Sequence, residues 1–242
     1  MIDILNQRVN INPEKQFIEY DNYSISYCEF NNIVNNLSQT INSINTKNNY
    51  IGLQVINKLK LLALLIAINR NGKIPVLYPN YPNIQDYIAS ANIPIILKDT
   101  DITIDNSDVS STETIVYKTD ATQLVIFTSG TTGQPKACRL TYNNIYQSSL
   151  KWDKVLKFDD QDIYLNHMPL IHISGLSVFF RALYNNFKMI LTDFNADNYF
   201  NYIKNNKITL ISMVPSMLQK IIERTPQAKV PKNLKTVILG GS

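Results

Sequence analysis

Between Tyr50 and Leu97 strand-like and helix-like segments alternate so closely that few topologies remain open. YIGLQVI (Tyr50–Ile56) has the β-branched and apolar content of a buried strand, and KLKLLALLIAINRNG after it reads as a helix, with Gly72 placed to cap its C-terminus. IPVLY (Ile74–Tyr78) predicts a second strand. YPNIQDYIASAN predicts a turn and a short helix ending near Asn92, and IPIIL (Ile93–Leu97) a third strand. Strand–helix–strand–helix–strand within roughly 50 residues requires parallel pairing through right-handed crossovers.

The second half repeats the alternation. QLVIFTS (Gln123–Ser129) reads as a strand, Tyr142–Lys151 as a helix, GLSVFFRALYNN (Gly175–Asn186) as an apolar helix and FKMILT as a strand. FNADNYFNYIKNN is helical, KITLISMV (Lys207–Val214) a strand, PSMLQKIIER a helix opened by Pro215, and KTVILGG a last strand. Upstream, Phe30, Ile33, Val34, Leu37 and Ile41 fall on one helical face despite the Asn-rich composition. The expected fold class is α/β with mainly parallel, doubly wound sheets. Asp99–Thr122 is polar, contains DNSDVSSTET and predicts a linker or exposed excursion, so residues 1–120 are expected to form one α/β half and residues 121–242 a second.

Composition narrows the partners. Hydrophobic residues make up 45% and charged residues 17%, which suits a globular chain and opposes disorder. The net charge of +4 is scattered rather than clustered, so no nucleic-acid partner is expected. Cys28 and Cys138 form neither a CxxC pair nor a metal-ligand spacing, which points to a reducing compartment. Met1–Asn12 lacks the apolar region of a signal peptide, and the longest apolar run, LLALLIAI (Leu61–Ile68), is too short to span a bilayer. The expectation is a cytoplasmic protein without a membrane partner.

The chemistry concentrates in IFTSGTTGQPKACRLTYNN (Ile126–Asn144). The chain has seven glycines, and five of them fall in three stretches: Gly130 and Gly133 here, Gly175 in HISGL, and Gly240 and Gly241 near the end. Glycine lets backbone N–H groups approach a ligand closely, and a run of such groups forms a concave nest for an anion. Thr128, Ser129, Thr131 and Thr132 add hydroxyl donors and Lys136 a point charge suited to phosphate. Placed after a strand of an α/β sheet, this combination calls for a polyphosphate, most economically the triphosphate of ATP. A Walker A loop is excluded by spacing, because Pro135 stands where its second glycine belongs and Ala137 follows the lysine. The dinucleotide fingerprint fails at Thr132. A polar turn between two strands is the competing reading.

FTSGTTGQPKA resembles the phosphate-binding signature of the adenylate-forming superfamily, which includes acyl-CoA synthetases, luciferases and adenylation domains. The resemblance implies that Thr128, Ser129, Gly130, Thr131, Thr132, Gly133 and Lys136 close over the β- and γ-phosphates of ATP. MPLIHISGLS resembles the superfamily's next motif, so His172 is implied to border the acyl site, with Ser174 and Gly175 beside it, while His167 matches nothing and stays structural. ITLISMVPSML resembles a pocket wall, and LKTVILGGS resembles the strand whose turn, here Gly240, Gly241 and Ser242, lies by the acyl group and adenine. HISGLSVFFRAL is closer to the o-succinylbenzoate–CoA ligases of menaquinone synthesis than to fatty-acyl ligases. That substrate has two carboxylates, and Arg181 is a candidate to receive the second; the alternatives are that it reaches solvent or pairs with Asp193.

The resemblance implies an acid–CoA ligase that uses a small-molecule carboxylate, ATP and CoA, with Lys136 and His172 at the reacting groups. It also implies Mg²⁺, whose ligand, like the ribose-binding Asp and the C-terminal domain with its lysine, would lie past Ser242, so the 242 residues alone are expected to complete no turnover. Another acyl- or aryl-CoA ligase, an amino-acid-activating domain, and a non-catalytic nucleotide-binding half-domain are the rival readings.

Overall fold

The computed structural model describes residues 1–46, 48–80, 84–91, 93–108, 115–128 and 135–241. The chain divides into two compact units, one of residues 1–15, 26–148 and 171–173, the other of residues 16–25, 149–170 and 174–242.

In the first unit α1 (Ile4–Ile11) precedes α2 (Tyr27–Asn42), followed by β3 (Tyr50–Gln54), α3 (Lys58–Arg70), β4 (Ile74–Leu77), α4 (Gln85–Ala91), β5 (Ile96–Lys98), β6 (Thr122–Thr128) and β7 (Lys136–Thr141). The strands form one sheet in the order β5-β3-β4-β6-β7. All neighbours are parallel except β6 and β7, which make an antiparallel hairpin. Helix α2 starts on a reciprocal cap: the Glu29 amide donates to Ser26 Oγ at 3.2 Å and the Ser26 amide to Glu29 Oε2 at 2.7 Å. Helix α3 is apolar around most of its circumference and is accordingly buried at Leu59 and from Leu61 to Asn69. It ends as its sequence requires, with the Gly72 amide on the Asn69 carbonyl, the Lys73 amide on the Ile68 carbonyl, and Gly72 at φ 65°.

The last turn of α3 supplies a buried cation. Arg70 donates to Asp3 Oδ2 at 3.0 Å and to the amide oxygens of Asn35, Asn6 and Asn31 at 2.6, 2.7 and 2.8 Å. The Tyr117 hydroxyl donates to the same Asp3 oxygen at 3.1 Å. A buried charge is tolerated when paired and fully hydrogen-bonded, and this one ties α1, α2 and α3 together.

The expected division near residue 120 is not where the units part. The described residues of 99–122 are bound into the first unit: Asp99 accepts the Ile56 and Asn57 amides, Asn36 donates to the Asp105 and Ser107 carbonyls, and the Tyr117 amide donates to the Met1 carbonyl. Beyond them β6 pairs with β4, Val125 opposite Val76, so β6 belongs to the same sheet as β3, β4 and β5.

The second unit holds β1 (Gln16–Tyr20), β2 (Tyr23–Ser26), β8 (Ile163–Asn166), α6 (Ile173–Asn185), β9 (Lys188–Leu191), α7 (Tyr199–Asn205), β10 (Leu210–Met213), α8 (Pro215–Arg224) and β11 (Thr236–Leu239), whose end residues at Ser26 and Ile173 group with the first unit. Helix α5 (Tyr142–Leu156) is divided between the units after Ser148. The sheet order is β11-β10-β8-β9-β1-β2. From β11 to β1 the pairing is parallel, and β1 turns into β2 through Asp21 and Asn22, both at positive φ, as a tight hairpin turn demands. Alternate residues of β8 serve opposite faces. Tyr164 and Asn166 engage residues of α6, whereas Leu165 joins a cluster with Tyr199 and Ile203 of α7 and Ile221 of α8. Helices therefore cover both faces of a mainly parallel sheet, as the alternating sequence implies.

Candidate active site

In the first unit β6 is buried from Gln123 to Phe127 and emerges at Thr128. Phe127 fixes that exit by packing its ring 5.2 Å from Tyr78 and 5.1 Å from Tyr87, centroid to centroid. Thr128 lies opposite Lys136 in the hairpin register, and its hydroxyl sits 3.5 Å from the Lys136 carbonyl oxygen. Both residues are exposed. The hairpin thus clamps the two ends of the glycine-rich segment at the carboxyl edge of the parallel strands, the edge at which such sheets bind ligands. Ser129, Gly130, Thr131, Thr132 and Gly133 lie outside the described residues.

His172, Ile173 and Ser174 are exposed and sit at the entry to α6. The segment before them is anchored by Met168 and Leu170, 6% and 5% exposed. Gly175 is buried with no space for a side chain: a Cβ there would fall 2.4 Å from the Pro169 carbonyl oxygen and 2.6 Å from that of Met168. Asn166 donates to the Gly175 carbonyl oxygen at 2.9 Å and accepts the Met168 amide at 3.3 Å.

Arg181, the candidate for the second carboxylate, lies inside the second unit on α6. It is 7% exposed, with its guanidinium carbon 4.4 Å from the centre of the Trp152 ring. It hydrogen-bonds to the Tyr164 hydroxyl, which pairs in turn with Ser212 Oγ at 2.6 Å. Its Nε has no hydrogen-bond partner among the described residues. Burial lowers the pKa of Arg181, while Tyr164 raises it. Six residues past Gly175, it stands roughly 9 Å down α6 from the loop end. Of the alternatives to a carboxylate partner, neither holds among the described residues: the side chain does not reach solvent and does not engage Asp193, and its charge rests on an aromatic face and a hydroxyl.

Gly240 follows β11, its amide donating to the Met213 carbonyl at 3.2 Å, and Gly241 adopts φ 84° beside Val214. Val214 is the residue before Pro215, which opens α8. Ser242 lies outside the described residues. His167 is 4% exposed, its Nδ1 3.4 Å from the Tyr199 hydroxyl and its ring against Phe194 and Tyr199. It lines a cavity of about 190 Å³ with Thr192, Asp193, Asn195, Asn198 and Tyr202 at the carboxyl ends of β8 and β9, which no motif in the sequence announced.

Among the described residues no group of three or more His, Cys, Asp or Glu side chains could hold a metal, so none of them is assigned to Mg²⁺. Nor is any helix among them long and apolar enough to cross a membrane.

Residues 5–242 match the family described as AMP-binding enzyme. The chain is 36% identical over 155 residues to the 2-succinylbenzoate–CoA ligase of Staphylococcus aureus strain MSSA476, an alignment covering 59% of this chain and 31% of the relative. With the same enzyme of strain JH9 the figures are 39% over 127 residues, 52% and 25%. The chain therefore aligns with less than a third of the length of these curated relatives. Among solved structures it resembles the o-succinylbenzoate CoA synthetase of Bacillus subtilis in complex with the acyl-adenylate intermediate OSB-AMP. The TM-score there is 0.87 at 23% identity, over 100% of this chain and 69% of that one. The ATP and magnesium complex of that enzyme gives 0.86 at 22%, over 100% and 55%. The N-terminal domain of FACL13 from Mycobacterium tuberculosis gives 0.87 at 16%, over 100% and 70%. At these identities the structural likeness is one of fold.

Proposed function

The chain belongs to the AMP-binding enzyme family, and from that premise we propose that it forms the ATP- and acid-binding part of an AMP-forming acid–CoA ligase, with o-succinylbenzoate as the acid. The observation that carries the reading is the pairing of Thr128 with Lys136 at the carboxyl edge of the first sheet. It holds a hydroxyl and a cation at the mouth of a segment rich in small donors. Similarity to 2-succinylbenzoate–CoA ligases supports the choice of acid.

In the first half-reaction a carboxylate oxygen of the acid attacks the α-phosphorus of ATP. The bond to the bridging oxygen breaks, and pyrophosphate leaves with that electron pair. Lys136 and the amides of the glycine-rich segment neutralise charge on the departing phosphates, work done mainly by positioning and electrostatics. His172 borders the acyl carboxylate and orients it. In the second half-reaction the CoA thiolate sulfur attacks the acyl carbonyl carbon, AMP departs and a thioester remains. Mg²⁺ would offset phosphate charge; its ligands are not among the described residues. A reducing, cytoplasmic setting suits the two separated cysteines.

Acid-dependent ATP–pyrophosphate exchange tests the proposal, run on the 242 residues and on a chain extended to the length of the relatives. The extended chain is expected to exchange with o-succinylbenzoate and the 242 residues to exchange little. Exchange with fatty acids but not with o-succinylbenzoate overturns the choice of acid, and no exchange with any acid overturns the ligase reading.

A further inference from the structure

We propose that Asn166 is a positioning residue for the acyl site: its carboxamide closes the loop of residues 167–174 and so sets where His172 stands. The proposal rests on the reading of His172 as a border of the acyl site. Asn166 is the last residue of β8 and is 1% exposed, where an uncompensated amide would be costly. Its two ends are used on the two ends of one loop: Oδ1 accepts the Met168 amide at 3.3 Å as the chain leaves the strand, and Nδ2 donates to the Gly175 carbonyl at 2.9 Å as the chain enters α6. Nδ2 also lies 3.7 Å from Met189 Sδ on β9.

The loop is further confined by contact. The missing Cβ of Gly175 lets the first turn of α6 rest on the Met168 and Pro169 backbone, and the Met168 and Leu170 side chains are buried below. Between these fixed points Pro169, His172, Ile173 and Ser174 face outward and Ile171 partly so. A side chain at 166 must therefore carry a donor and an acceptor on one short planar group. Asparagine does; aspartate lacks the donor and sets a carboxylate against the Gly175 carbonyl, and alanine removes both bonds. The sheet's alternation explains why Asn166 turns to the loop and α6 while the next residue, His167, turns into the cavity beside α7.

Two measurements on Asn166→Asp and Asn166→Ala test this, with wild type and His172→Ala as references. In the 242-residue chain, hydrogen–deuterium exchange of peptides covering 167–176 should accelerate by about tenfold while those covering β9 and β10 stay unchanged. Unchanged exchange at 167–176, or equal acceleration across the whole sheet, overturns the proposal. In the extended chain, both variants should lower kcat for acid-dependent pyrophosphate exchange by about tenfold, as His172→Ala does, with KM for ATP unaltered. Wild-type kcat in a variant with the accelerated loop also overturns it. Asn166→Asp is nearly isosteric and carries the test should the alanine variant not fold. If the unsubstituted extended chain shows no exchange with any acid, the ligase reading fails, and the deuterium measurement decides the loop closure by itself.

Discussion

At the hairpin end of the first unit, Thr128 and Lys136 stand in solvent on paired strands. In the second unit, the middle of α6 holds Arg181 inside, over the Trp152 ring and against the Tyr164 hydroxyl. Both regions place a cation on a regular element close to a glycine-bearing turn, yet their energetics differ. Lys136 keeps its hydration and can exchange water for phosphate oxygens. Arg181 has already given up most of its water, and the protein itself makes up part of that loss. A cation still able to bind a ligand is one whose removal leaves stability nearly unchanged, whereas a cation spent on packing shows the reverse.

The largest effect that could break this contrast is on Arg181. Arg181→Ala should lower stability by about 3 kcal/mol, because it empties a space on Trp152 and leaves the Tyr164–Ser212 pair without its third member. ATP affinity should not move. Denaturant unfolding and calorimetric titration read the two quantities, and lost ATP binding at unchanged stability would reverse the roles assigned here. Arg181→Met sharpens the point by keeping the stem, and the smaller loss expected, about 1 kcal/mol, would isolate the charge over the ring.

Gly175→Ala comes next, at about 2 kcal/mol, since the added carbon meets backbone oxygens that cannot rotate away. The same substitution at Gly240, where a Cβ meets nothing within 4 Å, should cost well under that, and equal losses in thermal unfolding would remove the argument for close packing at α6.

Alkaline titration compares the two interiors. Burial raises the Tyr78 phenol to about 12 and pushes those of Tyr27 and Tyr117 upward in the first unit, and of Tyr164 and Tyr199 in the second. Below about pH 10 both folded and unfolded chains keep these protons and the contribution to stability is whole. As the pH rises from there the unfolded chain releases protons that the folded chain retains, so stability should fall progressively through pH 12. Unfolding curves taken at stepped pH that stay level between 10 and 12 would contradict the burial of these hydroxyls.

The smallest expected change is the most diagnostic for the hairpin. Lys136→Ala should alter stability by no more than about 0.5 kcal/mol, as an exposed substitution does.

Much of the fold was legible because it is locally encoded. The apolar runs of β3, β4 and β6, the one-sided apolar face of α2, the Gly72 terminus and Pro215 at the start of α8 each announce an element within a few residues. What escaped was set at a distance or on the surface. QFIEY is too short to declare itself, and its strand character comes from pairing with β9, Ile18 opposite Met189. KACRLT is half-exposed and lacks alternation, so β7 shows itself only through its pairing with β6. The polar stretch after Asp99 looked like a linker because its composition cannot reveal that Asp99 and Tyr117 bond back into the first unit. Among candidate site residues, the glycine-rich segment was readable from chemistry alone. Asn166 was not, since one asparagine in an Asn-rich chain carries no signal until both its partners are placed.

On the proposed function, the segment from Thr128 to Lys136 binds the outer phosphates of a nucleotide. Phosphorus-31 NMR of ATP titrated with the 242-residue chain tests it directly. The β- and γ-phosphate resonances should broaden and shift with the unsubstituted chain, and the apparent affinity should fall by about tenfold for Lys136→Ala. Resonances that stay sharp with the unsubstituted chain, or that respond equally to both proteins, would contradict it.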